Sequence, residues 1–313
     1  MKNYDALIGV SLNPEIYFQY KNTPDEKGLI DKDGYLLSGS SANIAGAFVK
    51  MKYDPLLLGL VSASNNTTPE NTITNMILRK LLHESKIRFL PLKALTRTNI
   101  AYVPINGAGE AGVIGAKGEV LDAAITTCCN KIRTAKGKWR IASGVRIVEV
   151  PFINALYENS EEGFCTLTPK VELVADTVRF KKLIKSVDLL IMNAVEFQAA
   201  GLNHPCELHK FGPKLIIVTK DKEGGIWSFN QDGTHGKGSY ESVHYTNKIA
   251  SKVGAGDWFH AAFVVSCMDI KKSILQLSQG DIEKGLYFAA RVAGKKLTYL
   301  GGANGPGKNE LFI

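Results

Sequence analysis

Cysteine is scarce and scattered in this chain. Its five thiols, Cys128, Cys129, Cys165, Cys206 and Cys267, form no Cys-x-x-Cys pair and no zinc-ligand spacing. An odd, dispersed set argues against a disulfide framework and reads as reduced thiols of a cytoplasmic protein. No apolar run is long enough to span a bilayer, so no membrane-spanning helix and no membrane partner are expected. Met1-Lys2-Asn3-Tyr4-Asp5 leads straight into Ala6-Leu7-Ile8-Gly9-Val10 without a cleavable apolar leader, and this too sets the expectation of a cytoplasmic location. Charge of one sign is never concentrated. The 38 Lys and Arg against 30 Asp and Glu give +8, with no block of five or six like charges. No nucleic-acid partner is therefore expected, and the basic balance reads as a lysine-rich solvated surface or as attraction for a small anionic substrate. Internal repeats, low-complexity tracts and long linkers are also missing.

What is present suffices for a large core: 313 residues, 45% hydrophobic and 22% charged. Residues 6–11 read as a first buried strand. Residues 42–52 have helical spacing, 55–61 make a short apolar strand, and 69–85 make a helix with Thr68 as N-cap and Pro69 at its first position. Asp33-Gly34 lies between apolar stretches at 29–30 and 35–37 and suggests a β-hairpin. Residues 99–105 and 111–116, separated by Asn106-Gly107-Ala108-Gly109, suggest a second. Beyond residue 121 helix and strand alternate, with weak strand candidates at 141–142 and 164–167. Stronger ones lie at 188–192 and 215–219, continuous apolar runs of the kind that parallel sheets bury on both faces. The expected fold is α/β: a three-layer, doubly wound, mostly parallel sheet in one domain over 1–313. The hairpins, at about 15–38 and 97–118, form a separate small β-sheet lid.

The most informative segment is Gly254-Ala255-Gly256-Asp257, followed at once by the apolar run 258–265. Small residues at a turn let backbone N–H groups face a ligand unobstructed. The free amides and positive dipole end of a following helix favour an anion such as a transferring phosphoryl group. A carboxylate there is placed to take a proton from an alcohol. The plainer reading is a turn followed by an ordinary helix-start signal.

Other motifs decide between them. In order they are Ser11-Leu12-Asn13-Pro14, Gly39-Ser40-Ser41-Ala42-Asn43, Thr96-Arg97-Thr98-Asn99, Asn193-Ala194-Val195-Glu196, and Val218-Thr219 with Gly224-Gly225. With the Val253-Gly254-Ala255-Gly256-Asp257 signature, the chain resembles the ribokinase-like, or PfkB, carbohydrate kinase family over nearly its whole length. Within it the chain is most similar to the branch of fructose-1-phosphate kinase and tagatose-6-phosphate kinase. The resemblance implies ATP and Mg2+ as cofactors and a small sugar-like acceptor. Asp257 matches the catalytic base, and Gly254, Ala255 and Gly256 match the anion hole. Asn13, Gly39, Ser40, Asn43 and Arg97 fall on acceptor-binding positions, Arg97 facing a substrate phosphate in the sugar-phosphate branch. Asn193 and Glu196 match the element for magnesium and phosphate, Glu196 acting on the metal through water. Thr219 and Gly224 match the nucleotide-proximal strand end and loop. Each has a plainer reading beside it: Asn43 as a helix cap, Glu196 as a first-turn acid, Arg97 as a surface strand residue.

The departures concern the acceptor. Tyr17 stands where the family usually has a sugar-binding aspartate, and Ser40 where the branch has a phosphate-binding lysine. Lys220-Asp221 follows Thr219 in place of Leu-Gly, and Trp258 follows the signature aspartate. The expected activity is ATP-dependent phosphorylation of a hydroxyl on a small sugar or sugar phosphate. A nucleoside kinase of the same fold is the alternative, and a non-catalytic ligand-binding member is the alternative from another class. Exposed lid edges also suggest a homodimer formed through the lid.

Overall fold

A computed structural model describes residues 3–20, 27–29, 34–63, 68–105, 112–158, 163–231, 233–243 and 249–311, with backbone alone at 17–20, 27–29 and 105. The strands are β1 (Asn3–Val10), β2 (Asn13–Tyr20), β3 (Lys27–Leu29), β4 (Tyr35–Ser38), β5 (Pro55–Ser62), β6 (Arg88–Leu95) and β7 (Ile100–Ile105). They continue with β8 (Ile114–Ala116), β9 (Lys136–Val145), β10 (Phe164–Pro169), β11 (Leu189–Asn193), β12 (Leu215–Thr219), β13 (Gly225–Gln231) and β14 (Thr234–Tyr240). The α-helices are α1 (Ser40–Lys50), α2 (Pro69–Glu84), α3 (Asp122–Thr134), α4 (Val150–Tyr157), α5 (Val171–Ala175), α6 (Thr177–Leu183), α7 (Ala194–Ala199), α8 (Ala255–Asp269) and α9 (Gln279–Lys296).

Nine strands make one sheet in the order β14-β13-β12-β11-β10-β9-β1-β5-β6. From β6 to β12 every neighbouring pair is parallel, and β13 and β14 are added antiparallel. Alternation along the interior strands builds two cores. Leu189 and Ile191 of β11 and Leu215 and Ile217 of β12 join α1, α2, α8 and α9 on one face. Leu190, Met192 and Ile216 join α3 to α6 on the other. Both faces being covered, the interior strands are apolar at consecutive positions. The expected doubly wound, mostly parallel α/β sheet is the fold observed.

The winding positions the site. From β1 the chain proceeds outward to β5 and β6, then returns to β9 on the opposite side of β1. The crevice beyond the carboxyl ends of β1 and β9 is thus the topological switch point, where ligands of such sheets bind. Residues 258–265 of α8 are all buried, so the helix behind this crevice is held rigidly in the core.

A second sheet of five strands lies apart, in the order β3-β2-β7-β8 with β4 also on β2. The first expected hairpin differs in detail. β3 and β4 do not pair with each other; both run antiparallel to β2, β4 at residues 13–16 and β3 at 18–20. The Asp33 end of the expected turn lies outside the described residues. β7 and β8 pair antiparallel as expected, and their connecting residues 106–111 also lie outside the described set. The weak strand candidate at 141–142 proves to be the centre of the ten-residue β9. Thr68 caps α2 through Asn71 N–H at 3.4 Å, with Pro69 in its first turn, as expected.

Candidate active site

Gly254 precedes α8 in the left-handed region, at φ 81° and ψ 0°. A β-carbon there would lie 2.9 Å from the Gly302 carbonyl oxygen and 3.2 Å from Asn43 Nδ2. Glycine is therefore required both by conformation and by space. The turn releases the chain into a 15-residue helix whose first amides have no intrahelical acceptor.

Asp257 sits in the first turn of α8, partly exposed, and its two oxygens are separately held. Asn43 Nδ2 donates to Oδ2 at 2.8 Å, and Ser143 Oγ donates to Oδ1 at 2.8 Å. Asn43 comes from the first turn of α1 and is itself oriented by Ser38 Oγ, which donates to Asn43 Oδ1 at 3.2 Å. Ser38, Asn43 and Ser143 are all buried. Four elements, β4, α1, β9 and α8, thus converge on one carboxylate. Asn43 is therefore not a helix cap: the N-cap position of α1 belongs to Gly39, at φ 91°.

Burial pushes the Asp257 carboxyl above the usual carboxylate range; the bonds from Asn43 and Ser143, the Lys170 charge and a bond from Ser40 oppose it. The sign for stability follows from the raised native value. Between the ordinary aspartate range and that value the folded state binds the extra proton, so stability falls as pH rises through this window. At neutral pH the ionised carboxylate is a net cost. Asp257→Asn is accordingly expected to raise Tm at pH 7, with the gain vanishing once the pH drops below the ordinary aspartate range; calorimetry across pH checks it.

The other expected residues fall into two groups. Asn13, Gly39 and Ser40 are beside Asn43: Asn13 pairs with Ser38 across β2 and β4. A β-carbon on Gly39 would lie 2.8 Å from Leu12 Cα and 3.0 Å from Asn13 Oδ1. Gly144, at φ 64°, packs against Ser40 Oγ. Asn193 and Glu196 lie at the end of β11, two strands along the sheet from β9, where Asn193 pairs with Thr219 of β12. They cap each other: Asn193 N–H donates to Glu196 Oε2 at 2.9 Å, and Glu196 N–H donates to Asn193 Oδ1 at 2.8 Å. Glu196 is buried and its carboxyl is raised, chiefly by that burial; the Lys170 charge lowers it and the Asp257 charge raises it further. Gly224, at φ 78°, closes the turn after β12 against the Tyr240 carbonyl. Arg97 is exposed, with Nε donating to the Lys117 carbonyl at 3.2 Å; among the described residues no hydrogen bond or ion pair joins it to the Asp257 cluster. Its neighbour Thr98 is buried between Ser62 and Asn75.

Among the described residues no group of three or more His, Cys, Asp and Glu is arranged to hold a metal. A fully protein-ligated cage is thus not what Glu196 belongs to. One buried carboxylate beside the crevice does suit magnesium, which keeps several waters and takes few protein ligands. Ser143 and Lys170 carry no motif to mark them. They reach the site from the carboxyl ends of β9 and β10, far away in sequence.

A family model described as pfkB family carbohydrate kinase matches residues 74–308. A search of curated sequences gives no match. Among solved structures, a ribokinase from Giardia lamblia is similar with a TM-score of 0.74 at 15% identity, covering 99% of this chain and 98% of that one. A nucleoside kinase from Methanocaldococcus jannaschii is similar with a TM-score of 0.69 at 13% identity, covering 99% and 98%. A ribokinase from Arabidopsis thaliana complexed with ribose and ATP has a TM-score of 0.67 at 18% identity, covering 99% and 98%. At these identities the structures establish the fold. No helix among the described residues is long and apolar enough to cross a membrane. With the family model matched over three quarters of its length, the chain belongs to the PfkB family of carbohydrate kinases.

Proposed function

We propose that the chain transfers the terminal phosphoryl group of ATP to a hydroxyl of a small sugar-like acceptor at the crevice before α8. One observation carries this: a carboxylate at the mouth of a glycine turn, both oxygens held by buried donors, Asn43 and Ser143. An alcohol is too weak an acid to lose its proton unaided at neutral pH, so a base must take it as the new bond forms. Asp257 is that base. Its raised pKa makes it a better proton acceptor than an ordinary aspartate and makes activity fall as acid protonates it. The amides of the 254–256 turn, with the dipole of α8, are set for charge on the moving phosphoryl oxygens. ATP as donor is supported by the ATP-bound Arabidopsis structure of similar fold.

Asn13, Gly39, Ser40 and Asn43 line the acceptor side. Thr219 and Gly224 shape the nucleotide side, and Asn193 and Glu196 hold the waters of a magnesium ion. When bound, that ion supplies neutralising charge at the donor phosphates. The small sheet of β2, β3, β4, β7 and β8 is the lid that excludes water from the acceptor. An unphosphorylated acceptor is favoured over the sugar phosphates of the branch named above. Ser40 brings no cation, and the Arg97 guanidinium is engaged at its Nε with Lys117. The test is ADP release from magnesium ATP across free sugars, sugar phosphates and nucleosides. Turnover is expected on a free sugar or a nucleoside; a sugar phosphate turned over in preference would overturn the acceptor assignment.

A further inference from the structure

Trp258 follows Asp257 directly in the first turn of α8 and is fully buried, yet nothing in the reading above uses it. A buried indole needs an acceptor for its N–H. Trp258 Nε1 donates to the Gly302 carbonyl at 2.9 Å. Gly302 belongs to a strap, residues 300–305, that runs on from the end of α9 and has glycine at 301, 302 and 305. The last of these lies flat on the indole. A β-carbon on Gly305 would stand 2.6, 2.7 and 2.8 Å from Trp258 Cζ2, Cη2 and Cε2. Backbone can approach a ring that closely only where the side chain is hydrogen. Indole and strap are thus fitted to each other by one hydrogen bond and one close face.

The same strap is the wall behind the Asp257 cluster. A β-carbon on Gly302 would collide with Asn43 Oδ1 and Ser38 Oγ, the pair that aims the Asn43 amide at Asp257. The carbonyl oxygen of Gly302 stands 2.9 Å from where a β-carbon on Gly254 would be, so it also backs the anion-hole turn. Further contacts reach the small sheet. Ala303 N–H donates to the Leu37 carbonyl at 3.2 Å, and Gly301, at φ 85°, is set against Leu36, both residues of β4. Leu36, Leu300 and Val253 pack around the buried Val103 of β7. The small sheet therefore rests on the strap and on the residue just before Gly254.

We propose that Trp258 is a positioning residue: its indole N–H pins the Gly302 carbonyl, and the pinned strap holds Asn43, the anion-hole turn and β4 in one arrangement around Asp257. Trp258 acts through Gly302 and Asn43 and does not itself reach the reacting atoms. Without its N–H the buried Gly302 carbonyl loses this donor, and turning to find another carries the peptide away from Asn43. Asn43 then has no wall to fix its amide on Asp257. The positioning stands on the ligand-free protein; its consequence for turnover rests on the kinase reading.

Trp258→Phe tests it, keeping an aromatic ring and removing the N–H. In the ligand-free chain, nitrogen-15 NMR of the Asn43 side-chain amide, assigned with Asn43→Ala, is expected to show a moved resonance and faster proton exchange in Trp258→Phe. The reciprocal measurement leaves Trp258 in place: Asn43→Ala is expected to shift the Trp258 indole N–H, while those of Trp139 on β9 and Trp227 on β13 stay put. With magnesium ATP and an acceptor, kcat of Trp258→Phe is expected to fall about 10- to 100-fold with little change in KM for ATP. An unmoved Asn43 amide in folded Trp258→Phe overturns the proposal whatever the change in Tm, since packing alone then accounts for the indole. An unmoved Trp258 indole resonance in Asn43→Ala does the same. Coupled resonances in a chain without phosphotransfer would uphold the positioning and contradict the kinase reading. Wild-type turnover that Trp258→Phe leaves intact would contradict the positioning alone.

Discussion

Asp257→Asn is expected to lower phosphotransfer by about 10²–10⁴ while ATP binding, measured by calorimetry, changes little. Asparagine matches the shape of aspartate and keeps an oxygen for the 2.8 Å bond from Asn43. What it cannot do is take a proton. The loss should therefore fall on kcat, since the group acts as the hydroxyl attacks and not as nucleotide binds. The same substitution is expected to raise stability at neutral pH, because burial of the ionised carboxylate is unfavourable. Lower activity with higher Tm in one variant is the signature of a residue kept for chemistry at a cost in stability.

The second large effect is expected from a single methyl group. Gly302→Ala places a β-carbon 2.3 Å from Asn43 Oδ1 and 2.4 Å from Ser38 Oγ, both buried and both part of the chain leading to Asp257. Neither can yield without disturbing that chain. Overpacking of this kind costs about 1–3 kcal/mol, so a clear drop in Tm is expected. Turnover should fall with it, because Asn43 must leave the position that holds Asp257. Gly280→Ala is the control: in the first turn of α9 an added β-carbon meets nothing within 4 Å. Alanine is the better helix former there, and stability is expected to hold or rise. Equal Tm for Gly302→Ala and wild type would contradict the packing described.

What could be read from sequence was local. The apolar runs of β11 and β12 announce strands buried on both faces, and Gly254 to Asp257 announces a turn with an acid behind it. Asn43 was found through its motif, although its bond to Asp257 spans 214 positions. Ser143 had no such mark. It is an ordinary serine near the end of β9, and only the crossover beside β1 brings it to Asp257. β14 was missed because Thr-His-Gly-Lys-Gly-Ser-Tyr has almost no apolar residues; it forms as an edge strand through its pairing with β13. Lys296 carries no mark either: a lysine ending a helix normally faces water, and here it is buried.

Tyr17 and Ser40 suggest that an acceptor-side carboxylate and ammonium are gone. The Tyr17 side chain lies outside the described residues, but two positions earlier β2 carries the buried Glu15.

The most direct test of the central claim follows the phosphoryl group itself. Phosphorus-31 NMR of magnesium ATP with the acceptor chosen by the ADP-release panel should show an organic phosphate ester forming with wild type and not with Asp257→Asn. Ester formation of equal rate in Asp257→Asn would contradict Asp257 as the base. ATP bound by the wild-type chain, with no ester on any free sugar, sugar phosphate or nucleoside, would contradict the kinase reading as a whole.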